Sequence, residues 1–255
     1  MKKESKDKKI ICEFIGDEDI SNYPEYKEKC LKDDQISKKI NSKNYDNQDI
    51  RNNTLTKFFD KHLFRLVLTC ELNNENNKTI SIILMNPSYA DYYGLDDTIL
   101  NVKKFIEKIN NKNNPDFTYS SFDVLNVFPI RIANSNCLPD LLKKYDFNRD
   151  YRNKNFEYIK TKIKQGCDYI LAWGADYHKT EEAQNILKEL NNNKNVRILV
   201  YHLNSSKGRE GTPSHFTSRV YNKIKNNQGL KLIEVEINSK NDILFLESKK
   251  ILLEI

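Results

Sequence analysis

Four short segments of the sequence place polar side chains beside Pro or Gly, each at the end of an apolar run. They read MNPSYAD (85–91), NVFPIR (126–131), AWGAD (172–176) and KGREGTPSHF (207–216). An Asn amide can orient a water or pair with a base edge, and an Arg fork suits phosphate or carboxylate. A neutral His can donate a hydrogen bond to developing negative charge. These segments therefore hold most of the residues that could bind or transform a ligand.

The first segment follows an apolar run and begins with Asn86 and Pro87. Pro87 removes a backbone donor and biases Asn86 away from helix, so we expect the Asn86 amide to be held at a strand end. The alternative is simple turn chemistry, because Asn-Pro often begins a turn. Ser88 could be imagined as a nucleophile with His215, but no GxSxG elbow surrounds it, which disfavours a serine hydrolase.

The other segments also allow a structural interpretation. Arg131 could pair with a surface acid, and Trp173, the single tryptophan, could pack in the core instead of stacking on a ligand. Gly174 permits close backbone approach. The late segment lacks the GxxxxGK[ST] order of a P-loop. His215 precedes a predicted short helix whose dipole favours the neutral imidazole, and its alternative is an ordinary surface histidine.

The elements that must position these segments are indicated by hydrophobic periodicity. Apolar runs predict strands over 63–72, 79–85, 122–128, 168–173, 196–201, 230–237 and 242–246. Three- and four-residue spacing predicts helices over 96–109, 138–145, 152–164, 180–190 and 217–225. The polar spacer NNENNK predicts a hairpin between the first two strands. Strands alternating with helices predict an α/β fold with a central, mainly parallel sheet. Ligands bind such sheets beyond the carboxyl ends of the strands, where the four segments lie.

Length and composition limit the class of protein. The 255 residues carry 42 Lys+Arg and 36 Asp+Glu, a formal charge of +6. We expect a polar, partly ordered extension over 1–60, with short helical pieces near 23–40, and a single α/β domain over 61–255. No apolar run is long enough to span a membrane, and the N-terminus lacks the apolar part of a secretory signal. Five Cys without a CxxC argue against a disulfide framework or Cys zinc site. We therefore predict a cytoplasmic protein with no metal and no cofactor.

The positive charge is densest late in the chain. Residues 194–231 contain eight Lys and Arg and one acid, Glu210. Clustered basic side chains of this kind are typical of surfaces that face phosphates. The alternative is solvated surface in a Lys-rich protein.

Six blocks of the sequence resemble those of domain-of-unknown-function family 1643, in the same order. They are FRLVL (64–68), MNPSYAD (85–91), LDDTI (95–99), NVFPIR (126–131), AWG (172–174) and GTPSH (211–215), so that the resemblance covers roughly 63–225. More remotely, the layout is similar to the uracil-DNA glycosylase superfamily, which implies a three-layer α/β/α fold. This chain has Leu84 where those enzymes have Gly, and Phe216 where they have Pro.

The resemblance implies a glycosylase-like hydrolase that acts on a nucleobase, natural or modified, most simply in DNA and in repair or phage defence. It casts Asn86 as the residue that positions water and His215 as the residue that stabilises the departing base, with Asp91 as a third catalytic residue. The base would lie against Pro87, Ser88, Tyr89, Asn126, Arg131, Trp173 and Gly174. Phosphates would be held by Lys207, Arg209, Ser214 and Arg219.

Two other functions fit the same sequence. One is a non-catalytic module that binds nucleic acid or a nucleotide on this fold, and the other is a small-molecule enzyme such as a nucleoside hydrolase. A fold alone does not separate them. All three functions require the four polar segments, which are far apart in the sequence, to meet around one pocket. The sequence gives no prediction of the oligomeric state.

Overall fold

The structure is a computed structural model, and it describes residues 2–4, 10–15, 64–72, 77–87, 90, 95–112, 114–132, 138–139, 142, 148–203, 213, 230–244 and 251–254. The strands are β1 Lys2–Glu4, β2 Ile10–Phe14, β3 Arg65–Glu71, β4 Thr79–Leu84, β5 Ser121–Asn126, β6 Asp168–Leu171, β7 Arg197–Leu203, β8 Leu230–Glu234, β9 Glu236–Ile237, β10 Ile243–Leu244 and β11 Ile251–Glu254. The helices are α1 Asp97–Asn110, α2 Asn148–Gln165 and α3 Glu181–Asn192. Short 3₁₀ turns cover Pro115–Phe117 and Ala175–Tyr177. No helix in these ranges has the length and apolar character needed to cross a bilayer.

Nine strands form one sheet in the order β1-β2-β3-β5-β4-β6-β7-β8-β11. The four central strands, β5, β4, β6 and β7, are parallel. Antiparallel strands extend the sheet on both sides. The predicted α/β fold with a parallel centre is therefore confirmed.

The predicted hairpin between the first two strands is wrong. β5 lies between β3 and β4, and it pairs antiparallel with β3 and parallel with β4. The physical reason is the composition of β4, whose residues from Ile80 to Leu84 are all buried. A strand covered on both faces needs a place at the centre of the sheet between two parallel neighbours, which a hairpin at the edge does not provide.

Helices cover both faces of the sheet, as a three-layer arrangement requires. On one face, called here the α1 face, Ile99, Val102, Ile106 and Ile109 of α1 pack in a buried cluster. This is the apolar stripe that the spacing predicts. On the other, called the α2 face, α2 and α3 contribute Ile159, Ile163, Ile186 and Leu187 to a second buried cluster. α1 begins after Asp96, whose carboxylate accepts a hydrogen bond from the Ile99 amide at 3.0 Å, as an N-cap should.

The N-terminal residues 10–15 belong to the sheet. β2 pairs with β3, and Cys12 and Phe14 are buried on the α1 face. The helical pieces predicted near 23–40 and the helix predicted over 217–225 lie outside the described residues.

A buried ionic cluster ties the amino ends of β6 and β7 together. Asp168 accepts hydrogen bonds from the Tyr119 hydroxyl at 2.6 Å and from Nε and Nη2 of Arg197 at 3.0 and 2.5 Å. Lys78 lies 3.3 Å from the same carboxylate. Burial opposes ionisation of Asp168, but the hydrogen bonds from Arg197 and Tyr119 outweigh it and hold the pKa of Asp168 below its ordinary value.

Candidate functional site

The segment after β4 is fastened to the segment after β5. The amides of Val127 and Phe128 donate to the carbonyls of Leu84 and Met85 at 2.9 and 2.8 Å. Ile132 donates in turn to the carbonyl of Pro87 at 3.0 Å. The parallel pairing of β4 and β5 therefore continues past the carboxyl ends of both strands, and residues 85–87 lie beside residues 127–132.

The amide of Asn86 is fixed in one orientation by this arrangement. Its Nδ2 donates to the carbonyls of Pro87 and Ile132 at 2.9 and 2.8 Å. With both amide protons used, the half-buried side chain keeps Oδ1 as its hydrogen-bonding atom, and nothing in the described part of the chain donates to it. Asn86 can therefore present one acceptor oxygen in a set direction, as orienting a water requires.

Asn126 ends β5 with a buried carboxamide on the α1 face. In the parallel register Asn126 is paired with Leu84, and Leu84 packs in the buried cluster of the α1 face. Because paired residues of neighbouring strands point to the same side of a sheet, the Asn126 side chain also lies on the α1 face. The side chain is 0% exposed, yet neither Nδ2 nor Oδ1 makes a hydrogen bond to any residue that the structure describes. An amide buried without a partner costs about 1–3 kcal/mol, and native proteins keep few of them without a functional reason.

The backbone that carries Asn126 is held from the opposite face. Asn155, buried within α2, donates from Nδ2 to the carbonyl of Asn126 at 2.8 Å and to that of Val127 at 3.3 Å. Sequence reasoning gave Asn155 no role, and a polar residue on a helical stripe carries no signal that would separate it from surface asparagines. Asn155 thus fixes the end of β5 while the Asn126 side chain keeps its own donor and acceptor.

Two buried arginines hold the backbone at Ala90, four residues after Asn86. Arg65 donates from Nη1 to the carbonyl of Ala90 at 2.7 Å, and Arg131 donates from Nη2 to the same oxygen at 3.3 Å. The Arg131 guanidinium also lies over the Phe14 ring, 5.5 Å from its centroid. Arg131 is 2% exposed, which rules out the alternative of a surface ion pair. Both side chains hold the backbone at Ala90. Arg65 was noticed in the sequence only as part of the FRLVL strand.

Trp173 lies on the other side of the sheet from Asn126. It belongs to the buried cluster of the α2 face, so the alternative of core packing describes it better than ligand stacking. Gly174 follows with φ of 89°, a backbone conformation that favours glycine and turns the chain after β6. The structure therefore places Asn86 and Asn126 at the carboxyl ends of the neighbouring strands β4 and β5, with Arg131 bound to the carbonyl of Ala90, and it places Trp173 on the opposite face of the sheet.

The remaining predicted residues lie outside the described part of the chain: Ser88, Tyr89, Asp91, Lys207, Arg209, Ser214, His215 and Arg219. Pro213, between two of them, is buried. No group of three or more His, Cys, Asp or Glu that could hold a metal occurs among the residues described.

His178 is a buried histidine that the sequence did not single out. Its ring stacks near Trp173, with centroids 6.4 Å apart and an angle of 16° between the planes. Within the part of the chain that the structure describes, neither ring nitrogen makes a hydrogen bond. Burial, followed by the charge of Lys179, lowers the pKa of His178, with Asp242 acting in the opposite direction. The imidazole is therefore neutral at pH 7.

We expect acid to destabilise the protein through His178. Because the folded pKa is lowered, the stabilising contribution is full above the unfolded pKa of about 6.5 and is lost as the pH falls towards the folded value. The melting temperature should therefore decrease between pH 7 and pH 5. The imidazolium that forms should also quench the fluorescence of Trp173, the single indole. His178→Gln should remove both effects, and an unchanged fluorescence titration in this variant would contradict the assignment.

Comparison with known proteins identifies one family. The sequence profile described as Protein of unknown function (DUF1643) matches residues 65–215. Neither the curated proteins nor the solved structures contain a match to this chain.

Proposed function

The chain belongs to the DUF1643 family, and from this premise we propose that it is a glycosylase-like hydrolase acting on a nucleobase, natural or modified, in nucleic acid. The observation that carries the proposal is the buried carboxamide of Asn126, which has no hydrogen-bond partner among the described residues and lies at the carboxyl end of a central parallel strand. Ligands of open α/β sheets bind at this edge. A carboxamide offers one donor face and one acceptor face side by side, which complements the hydrogen-bonding edge of a base.

Asn86 supplies the second element of the proposed reaction. Its Oδ1 would accept a hydrogen bond from a water and direct the water oxygen at the anomeric carbon of the sugar. As the carbon–oxygen bond forms, the N-glycosidic bond breaks and its electron pair leaves with the base. Asp91 is the sequence candidate for taking the proton of the water, and His215 is the candidate for stabilising the anionic base by donating a hydrogen bond.

One observation favours a second candidate function, a non-catalytic module that binds nucleic acid or a nucleotide. Both amide protons of Asn86 are used on backbone carbonyls, as they would be in a purely structural turn. Under this alternative the Asn126 carboxamide would still read a base, but no bond would be broken.

Asn86→Ala separates these functions. If the protein is a glycosylase, purified wild type should create alkali-labile abasic sites in oligonucleotides that carry the correct base. The variant should lose about 100-fold or more of this activity, because an acceptor that positions the nucleophile is missing, while binding measured by fluorescence anisotropy should change only a few-fold.

The matched control is Asn114→Ala, which removes an Asn side chain that caps the 3₁₀ turn Pro115–Phe117 at the opposite end of the sheet. It should leave cleavage unchanged. Equal cleavage by wild type and Asn86→Ala would refute the role of Asn86. Binding without cleavage over a panel of modified bases would favour the module, and release of base from free nucleosides with weak, salt-independent DNA binding would indicate a small-molecule hydrolase.

A further inference from the structure

The end of β5 separates from β3 and forms a bulge in the sheet. The antiparallel register pairs Leu68 with Val124, and the next pair of facing residues is Phe64 with Ile130. Three residues between these two pairs on the β3 side therefore face five on the β5 side, 125–129. A segment with extra residues of this kind is a β-bulge, and bulges are common next to active sites, where they change the direction of a side chain. The β5 segment is thus irregular where it reaches the candidate site.

The side chains of this bulge do not alternate as they would in a regular strand. Leu125 and Val127 both pack on the α2 face, as residues two apart should, but Phe128 packs in the same cluster. The amides of Val127 and Phe128 also both donate to carbonyls of one neighbour, the β4 segment. Consecutive amides of a regular strand point to opposite sides. Asn126 therefore lies at the start of the irregular step, where the register with β3 no longer sets the direction of its side chain.

Asn155 of α2 supplies hydrogen bonds at this irregular step. Its Nδ2 donates to the carbonyls of Asn126 and Val127, at 2.8 and 3.3 Å, and its side chain is buried. The two carbonyls set the orientation of the Asn155 carboxamide, because Oδ1 in place of Nδ2 would meet two oxygens that cannot donate. The peptide group between Asn126 and Val127 is thus held at both ends, its oxygen by Asn155 and its N–H by the carbonyl of Leu84.

The helix that carries Asn155 is anchored at the far end of the bulge as well. Tyr151, one turn before Asn155, stacks on Phe64 with ring centroids 4.2 Å apart. Phe64 is the residue bridged to Ile130, where the β5 segment meets the β3 segment again. Groups carried by helices and strands are positioned more precisely than groups carried by loops. Asn155 is therefore a fixed donor against which the bulge is aligned.

We propose that Asn155 is a positioning residue for nucleobase recognition, and that it directs the Asn126 carboxamide through the peptide group joining Asn126 to Val127. This role rests on the proposed function, in which the Asn126 carboxamide pairs with the edge of a base. Pairing with β4 holds the backbone on one side of Asn126, and Asn155 holds it on the other. Together they set the direction in which Cβ of Asn126 points. Asn155 acts from the α2 face and does not touch the base.

The direction of the Asn126 carboxamide can be followed by NMR without any ligand. Proton–nitrogen correlation spectra of the full chain show each Asn side-chain amide as a pair of signals, and Asn126→Leu identifies the Asn126 pair by its loss. Asn155→Leu should shift or broaden this pair, because the adjoining peptide group loses its donor. Asn193→Leu is the matched control, since Nδ2 of Asn193 donates to the carbonyl of Ile163 at 2.6 Å near the other end of α2. It should leave the pair in place.

A double-mutant cycle separates positioning from general support of the fold. The probe is the oligonucleotide of the modified-base panel that wild type binds most tightly, and its affinity is divided by that of the same strand with an abasic site. Asn155→Leu should lower this ratio about 10-fold or more in the wild-type background. It should lower the ratio less than about 2-fold in the Asn126→Leu background, where the carboxamide to be directed is absent. A merely structural loss would be equal in both backgrounds.

Circular dichroism verifies that each variant is folded, and Asn155→Asp, which has the same shape but no amide donor, repeats the comparison. The role of Asn155 is overturned if the Asn126 signals are the same in Asn155→Leu as in Asn193→Leu. It is also overturned if the base-dependent ratio falls equally in both backgrounds or does not fall in the wild-type background. A wild type that binds no base would refute the proposed function instead, and the NMR comparison would still decide whether Asn155 directs Asn126.

Discussion

Replacing Asn126 with leucine is expected to abolish nucleobase binding and cleavage while leaving the protein at least as stable as wild type. The Asn126 carboxamide is buried and has no hydrogen-bond partner in the described ranges, so its removal relieves a desolvation cost of about 1–3 kcal/mol. Leucine has a similar shape and adds apolar contact with Leu84 and the α1-face cluster. A site that binds a ligand through hydrogen bonds loses affinity for that ligand when its hydrogen-bonding group is removed. We expect base binding and cleavage to fall by about 100-fold or more.

Urea denaturation and a base-release assay measure the two effects separately. Asn155→Leu provides the contrast, because the Asn155 amide is buried but donates to the carbonyls of Asn126 and Val127. It should lower the free energy of unfolding by about 1–3 kcal/mol, since two carbonyls lose their donor. A lower stability of Asn126→Leu together with unchanged activity would show that the Asn126 amide serves the fold and not the ligand.

Replacing Asp168 with alanine is expected to lower the free energy of unfolding by about 3 kcal/mol at pH 7. The substitution removes the acceptor of Tyr119 and Arg197 and leaves a partly buried guanidinium without its carboxylate. Breaking a buried pair by removing one partner costs about 3–5 kcal/mol, and the partial exposure of Arg197 places this case at the lower end. Glu157→Ala, at an exposed position on α2, should change stability by less than about 0.5 kcal/mol.

The free energy of unfolding that Asp168→Ala loses should depend on pH, and it should be smaller in acid. Because the folded pKa of Asp168 is lowered, its contribution is full above the unfolded pKa of about 3.9 and disappears as the pH falls through the folded value. Urea titrations at pH 7 and pH 3 should therefore show a smaller difference between wild type and Asp168→Ala in acid. A difference that stays constant would mean that packing, and not the ion pair, stabilises this corner.

Hydrophobic periodicity predicted the helices and strands well, because the spacing of apolar residues that indicates each of them lies within a short stretch of sequence. The stripe of α1 follows from a residue spacing that needs no knowledge of the rest of the chain, whereas the spacing alone left the N-cap open between Asp96 and Asp97. The position of β5 between β3 and β4 could not be predicted in this way. Strand order depends on which strands must be covered on both faces, and that is decided by the whole sheet.

The candidate site was predicted at the level of segments but less well at the level of side chains. Turns after β4 and β5 meet because parallel strands end at one edge, as expected. Which face a residue occupies depends on a one-residue register, so Trp173 and Asn126 fall on opposite faces although both end central strands.

The fastening of residues 84–87 to residues 127–132 has a consequence for how the chain can change in length. Each backbone link between them joins specific positions, so one extra residue in either stretch would shift every later link and carry the Asn86 amide away from the carbonyl of Ile132. Insertions and deletions should therefore be rejected in both stretches, even though residues 85–87 and 127–132 lie outside the helices and strands. Natural variation in length at this edge of the sheet must accumulate elsewhere.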